Sequence, residues 1–269
     1  MPYPTTQWCV LDALREVDEE KRRAALGELV AMYGGPLFTL ARHRSRGTRT
    51  REDCEDLVND FLLECIAGEL LTQEDVLKRN EEFDRDEAIK RKEVFKRADP
   101  AKGKFRNFLA KSFERYMLND QRARRAKKRL PSGGELLSLQ RLTEEHGPAL
   151  EPRIDETPED AVERVFRRSV FQKVLSEFEQ RCKAAGQEKK YELFLLREVQ
   201  PRRDGTPVPT YAALAQQLDI ASENAANKIL LAAREEFRTL LLTIISNDCK
   251  SQKEAHVECE MVLANVLNE

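Results

Sequence analysis

The residues with the most chemical character lie between Lys102 and Arg129, in the run KGKFRNFLAKSFERYMLNDQRARRAKKR. Eleven of its residues are Lys or Arg and two, Glu114 and Asp120, are acidic, so the run carries +9 (eleven minus two) in a chain of formal net charge −2. Phe105, Phe108, Leu109, Phe113, Tyr116 and Met117 recur at steps of three or four, which places them on one stripe of a helix. Cations at Lys104, Arg106, Lys111, Arg115, Arg122, Arg124 and Arg125 can track phosphates. Aromatic faces can stack on exposed bases, and the amides of Asn107 and Asn119 can bond to them. The plainer alternative is a solvated charged helix over an ordinary core stripe. Against it, the positive charge is not balanced by acids one turn away, and the run stops at Leu130-Pro131-Ser132-Gly133-Gly134, a helix terminator.

A second constellation spans Thr210 to Ile245, TYAALAQQLDIASENAANKILLAAREEFRTLLLTII. Thr210 is placed to cap a short helix, 211–218, with Tyr211, Leu214, Ala215 and Leu218 inward. Asp219-Ile220-Ala221 is a tight connection, and Ser222 caps a longer helix with Glu223 in its first turn. Short helix, three-residue turn and longer helix describe a helix-turn-helix, whose second helix can enter a major groove. Its candidate base contacts are Glu223, Asn224, Asn227 and Lys228, with Arg234 and Arg238 further along for phosphates. The pattern is equally that of a plain helical hairpin. Glu235 and Glu236 also make this helix poor in base.

These stretches need supporting elements. Thr5 or Thr6 can cap a first helix, 7–16. A second, 19–41, carries Leu26, Leu29, Val30, Tyr33, Leu37 and Leu40 on one face and should break or kink at Gly34-Gly35-Pro36. Residues 43–50 read as an Arg-rich connector. The helix 51–71 turns Leu57, Phe61, Leu62, Cys65 and Ile66 inward and presents Asp53, Glu55, Asp56, Asn59, Asp60 and Glu64 on the other face, which can meet a basic partner. Residues 72–97 are charged with few apolar positions, an exposed helical insertion or a flexible loop. Residues 130–157 hold Pro, Gly and Glu without periodicity and form the expected linker. Thr157-Pro158-Glu159-Asp160 opens a helix to about Lys183, with Val162, Val165, Phe166, Val170, Val174, Leu175 and Phe178 on its stripe and Gly186 as its cap. A further helix, 189–198, precedes the turn PRRDGTPVP. No stretch alternates as a strand does, so the expected fold is all-α.

At 269 residues, 35% of them charged and only 7% aromatic, the chain suits two modest helical domains with small cores. The expected boundaries are 1–129, 130–157, 158–245 and a tail, 246–269. No run is long enough to span a membrane, and the N-terminus lacks a signal layout, which predicts a cytoplasmic protein. The six cysteines, at 9, 54, 65, 182, 249 and 259, show no CxxC and are expected as reduced, mostly buried thiols. Cys249, His256 and Cys259 supply at most three ligands on a segment that also reads as an amphipathic helix, so no metal is expected. The sequence has no phosphate loop, no GxSxG elbow and no clustered His/Cys/Asp set, so neither a catalytic residue nor a cofactor is expected.

The order of the motifs resembles that of RNA polymerase sigma factors of the sigma-70 family, in the small two-domain extracytoplasmic-function group. The resemblance is carried by TTQW at 5–8, EDCEDLVNDFLLEC at 52–65, the basic stretch 98–129, LSLQ at 137–140 and TYAALAQQLDIAS at 210–222. It implies that 1–129 is similar to the sigma-2 domain. Asp53, Asp56, Leu57, Asn59, Asp60 and Phe61 would then dock on the β′ coiled coil of core polymerase, and the basic helix would melt and read the −10 element. It implies that 158–245 is similar to sigma-4, touching the β flap. Thr210, Tyr211, Ser222, Glu223, Asn224, Asn227, Lys228 and Arg234 would meet the −35 element of promoter DNA.

Three features depart from that pattern. The insertion at about 73–97 and the tail 246–269 can bind an anti-sigma factor or another regulator, although packing on the domain, through Val257, Met261, Val262 and Leu263, is the simpler role for the tail. The recognition helix is short of cations. Two other readings stay open: a stand-alone helix-turn-helix regulator that binds duplex DNA, and a divergent sigma-like interaction protein.

Overall fold

The computed structural model describes residues 19–45, 48–70, 104–126, 150–153, 155–246, 249 and 251–267. The expected helix 7–16, the insertion 73–97 and most of the expected linker, 130–149, lie outside them. Every regular element among the described residues is helical, as the 3.6-residue periodicity requires. By contact density the chain divides into two units, Met1–Phe166 and Arg167–Glu269.

In the first unit, α1 (Glu19–Ser45) is the central helix. It does not break at Gly34-Gly35-Pro36 but runs unbroken through Pro36 to Ser45. Proline in a helix interior removes a hydrogen bond and costs about 3 kcal/mol. Here every residue from Met32 to Ala41 is buried, and packing on all sides outweighs that cost. Gly35 lets neighbours close on the helix: a Cβ there would sit 3.1 Å from Leu150 Cδ2 and 3.2 Å from Val165 Cγ1. Thr39, fully buried, donates to the Leu150 carbonyl at 2.6 Å. The helix also absorbs the first part of the expected Arg-rich connector.

Helices α2 (Arg51–Leu70) and α3 (Phe105–Ala126) pack against α1. Tyr33 of α1 meets Phe105 of α3 edge-on at 5.3 Å, and Phe61 of α2 lies 5.0 Å from Phe113. Residues 150–156 are held on α1 by Leu150 at Gly35, by Arg42 to Glu151 (3.2 Å) and by His43 Nε2 to the Glu156 carbonyl (2.8 Å). Arg164, buried, bonds both oxygens of Glu156 at 2.8 and 3.0 Å. Helix α4 (Pro158–Ala184) begins at the expected cap, with Thr157 Oγ1 accepting from the Asp160 N–H at 3.1 Å. Its first residues, through Phe166, belong to the first unit.

In the second unit, the remainder of α4 meets α5 (Glu188–Phe194), a five-residue π turn (Leu195–Val199) and α6 (Gln200–Asp204). The sequence expected one helix ending at Glu198 and then a turn. The chain stays helical for six more residues and closes on Gly205 at φ +64°. Pro201 accounts for the wide turn, because it offers no N–H to the Arg197 carbonyl and its ring would strike that oxygen in an uninterrupted α-helix. Helices α7 (Tyr211–Gln217), α8 (Glu223–Ser246) and α9 (Gln252–Leu267) follow. Phe178, Phe194 and Phe237 form the core, with Phe194 stacked on Phe237 at 4.7 Å and Phe178 edge-on to both. The described thiols Cys54, Cys65, Cys182 and Cys259 are buried.

Candidate nucleic-acid interface

The helix-turn-helix is built as its residue types dictate. Thr210, in extended backbone, accepts the Ala213 N–H at 3.2 Å and starts α7. Leu214 and Ala215 are buried, while Tyr211 and Leu218 are half-buried. The chain reverses through Asp219, at φ +50°, one of the few residue types that tolerate this region. The Ile220 N–H returns to the Ala215 carbonyl at 2.8 Å. Ser222 Oγ then accepts the Ala225 N–H at 3.2 Å and starts α8. Ala226, Leu230, Ala233 and Phe237 bury one stripe of α8 against α7 and α5. This leaves Ser222, Glu223, Asn224 and Lys228 exposed and Asn227 half-exposed. The candidates for base reading therefore share the free N-terminal end of one capped helix.

Both arginines of α8 are engaged internally. Arg234 bonds Oε1 of the buried Glu198 at 2.5 Å, and Arg238 reaches Glu260 of α9 at 2.5 Å. The acid Glu236 takes Lys190. Tyr211 has one ring face covered by the Arg197 guanidinium, 3.8 Å from its centroid. Arg197 and Glu198 are absent from the sequence-derived candidates. Pro201, three and four residues beyond them, is the one signal that marked this turn as irregular.

No protein-family model, curated protein or solved structure matches this chain. The assignment of the site therefore rests on its own geometry.

In the first unit the basic helix α3 divides into inward and outward residues. Asn107, Lys111 and Arg115 are exposed, and Lys104 and Asn119 are half-exposed. Arg106 is not a surface cation: its side chain is 3% exposed, and it bonds Glu163 through Nε and Nη2 at 2.7 and 3.0 Å. Its guanidinium lies 4.6 Å from the Phe166 centroid. The reason is local, since Arg106 follows Phe105 on the side of α3 that faces the start of α4, where it meets the Glu163 carboxylate. The aromatics expected to stack on bases are largely core residues. Phe105 and Phe113 are fully buried, and Tyr116 lies 5.4 Å from Phe61. The side chains of Arg122, Arg124 and Arg125 lie outside the described residues. A cavity of about 340 Å³ opens beside α3, lined in part by Arg44, Arg49 and Met117; both arginines are paired, with Glu114 and Asp120.

The acidic face of α2 is narrower than its sequence suggests. Leu57 and Phe61 are buried, and Asn59 is buried too, with its Oδ1 left without a hydrogen-bond partner. None of the three can touch a partner directly. Thr50 caps the helix, its Oγ1 accepting the Asp53 N–H at 3.1 Å, while the Asp53 carboxylate accepts the Thr50 N–H at 3.1 Å in return. Glu55 pairs with Arg51. Asp56 is the fully exposed member of the candidate docking set, with Asp60 half-exposed.

The tail forms a helix whose packed face includes Val262 of the expected set but not Val257 or Met261. Ala255, Glu258, Cys259 and Val262 are buried, whereas Val257 and Met261 are exposed. Glu258 faces Arg167 of α4 at 3.6 Å and fixes this rotation. Among the described residues no His/Cys/Asp/Glu group is arranged to hold a metal, and no helix is long and apolar enough to cross a membrane.

Proposed function

We propose that the chain is a transcription initiation factor of the sigma-70 type, which recruits core RNA polymerase to promoter DNA and reads it without covalent chemistry. The observation that carries this reading is the capped helix-turn-helix, with Ser222, Glu223, Asn224, Asn227 and Lys228 grouped at the accessible end of α8. Hydroxyl, carboxylate and amide groups in the first turns of such a helix suit base edges in a major groove.

The charge distribution favours a polymerase-bound factor over a stand-alone regulator. Phosphate contacts supply most of the sequence-independent affinity for DNA. With Arg234 and Arg238 both tied to glutamates, α8 has little of that affinity to offer. A factor tethered on polymerase does not need it, because tethering raises the effective concentration of the motif at the promoter. The exposed Lys111, Arg115 and Asn107 of α3 fit the second DNA-contacting surface, and Asp56 with Asp60 fits a basic docking site such as the β′ coiled coil. The role places the protein in the cytoplasm with the polymerase.

The test is run-off transcription with sigma-free core polymerase on a fragmented genomic library. Discrete new start sites sharing two upstream elements are expected. No transcripts, together with no co-purification with core, would refute the function. Asp56→Lys with Asp60→Lys should abolish core binding and leave the fold intact.

A further inference from the structure

The π turn links both helices of the helix-turn-helix to one short segment. Its adjacent residues Arg197 and Glu198 each hold a different helix. The Arg197 guanidinium carbon lies over the Tyr211 ring, 3.8 Å from its centroid, and its Nη1 donates to the Pro209 carbonyl, so it grips α7 on either side of the Thr210 cap. Glu198 accepts from α8 through Oε1, from Arg234 Nη2 at 2.5 Å and Nε at 3.2 Å. Its Oε2 accepts from Arg202 of α6 at 3.0 Å. A buried carboxylate is stable only with such partners. Consecutive residues of a helical turn point roughly 80–100° apart, the lower value in a π turn, which lets one turn face two helices.

We propose that Arg197 and Glu198 are positioning residues that set the angle between α7 and α8, and through it which base edges Ser222, Asn224 and Asn227 reach; the proposal rests on the reading of this motif as a DNA-binding one. The lever is long. Arg234 lies eleven residues (234 minus 223) along α8 from Glu223, roughly 16 Å at about 1.5 Å per residue. A rotation of about 4° at that pivot moves the N-terminus by about 1 Å, more than a base-edge hydrogen bond tolerates.

The experiment enriches a randomised duplex library on the full-length chain assembled with sigma-free core polymerase, which supplies the tethering that α8 needs. It then measures Kd for the enriched duplex and its single-base variants. The proteins compared are wild type, Glu198→Gln, Arg234→Gln, their double variant and Arg197→Lys, with Arg203→Gln as control; Arg203 pairs only with its exposed neighbour Asp204 in the contacts described. Wild type should discriminate about tenfold per base pair. Glu198→Gln and Arg234→Gln should each cut this to about twofold, and the double variant no further, with far-UV circular dichroism unchanged. Arg197→Lys keeps the charge but loses the guanidinium that both covers Tyr211 and donates to Pro209 and should lose discrimination likewise, which keeps the test decisive if Glu198→Gln fails to fold. Full discrimination in the folded variants refutes the positioning role while leaving the DNA reading intact. So does a uniform loss of affinity in Arg234→Gln alone with a salt slope lower by about one, the mark of a direct phosphate contact. If wild type enriches no sequence, the DNA reading falls and takes this inference with it.

Discussion

Arg106→Ala distinguishes a structural cation from a DNA ligand in the basic helix. The substitution removes one partner of a nearly buried ion pair and, with it, two hydrogen bonds that Glu163 accepts. Breaking such a pair costs about 3–5 kcal/mol. Glu163 keeps 26% of its side chain accessible, so water screens part of the loss and the lower end, about 3 kcal/mol, applies. The lost stem packing and ring contact add about 1 kcal/mol. Hydrogen–deuterium exchange read by mass spectrometry localises the effect. Amides of α3 that open only with the unit should exchange roughly 700-fold faster for a total of about 4 kcal/mol, at tenfold per 1.4 kcal/mol. Replacing both partners, Arg106→Met with Glu163→Leu, should return within about 1 kcal/mol of wild type. Unchanged exchange in Arg106→Ala, combined with loss of promoter binding, would show that Arg106 faces DNA and that the described packing is incorrect.

Removing the caps of the helix-turn-helix, by Thr210→Ala or Ser222→Ala, should each destabilise the second unit by about 1 kcal/mol in urea titrations. Burial pushes the Cys259 thiol up to about 11, so iodoacetamide at about pH 8 should modify the half-exposed Cys249 in the native protein and Cys259 only after denaturation. Because that pKa is raised, the stability it contributes is present below the ordinary thiol value of 9.0 and declines as pH rises through 9.0 towards 11. For Glu156, burial raises the pKa, but the bonds from Arg164 and the Arg153 N–H outweigh it and hold the carboxyl below its ordinary 4.5. Its contribution is therefore present above 4.5 and is lost as pH falls below it, and Glu156→Gln should flatten the acid limb of first-unit stability.

Much of the helical fold was legible because amphipathic periodicity and capping are local. The stripe of α8 and the caps at Thr157, Thr210 and Ser222 stand where residue types put them. What escaped depends on partners distant in sequence. Pro36 looks like a helix breaker until Leu150 and Val165, far along the chain, are seen closing on Gly35. Arg106 resembles every other cation in its run, and Glu163, 57 residues away, singles it out. The last helix carries two overlapping stripes, one through Cys259 and Val262 and one through Val257 and Met261. The ion pair to Arg167 favours the first, which periodicity within the helix cannot reveal. Asn59 is polar by type but buried by register with Leu57, Val58 and Phe61.

The same partner choices redistribute the charge that composition reported. In sequence, Glu114 and Asp120 subtract from the basic run. In the fold, Glu114 binds Arg44 at 2.5 Å and Asp120 binds Arg49 at 2.9 Å, both outside α3. The exposed Lys111 and Arg115 thus keep more of their field than the count of eleven against two implies. On α8 the balance runs the other way, because its arginines are taken by Glu198 and Glu260. Under the proposed function, salt-sensitive grip on phosphate falls mainly to α3 and sequence discrimination mainly to α8. The first role needs exposed charge, and the second needs a helix held at a fixed angle, which is what Arg234, anchored on the buried Glu198, provides.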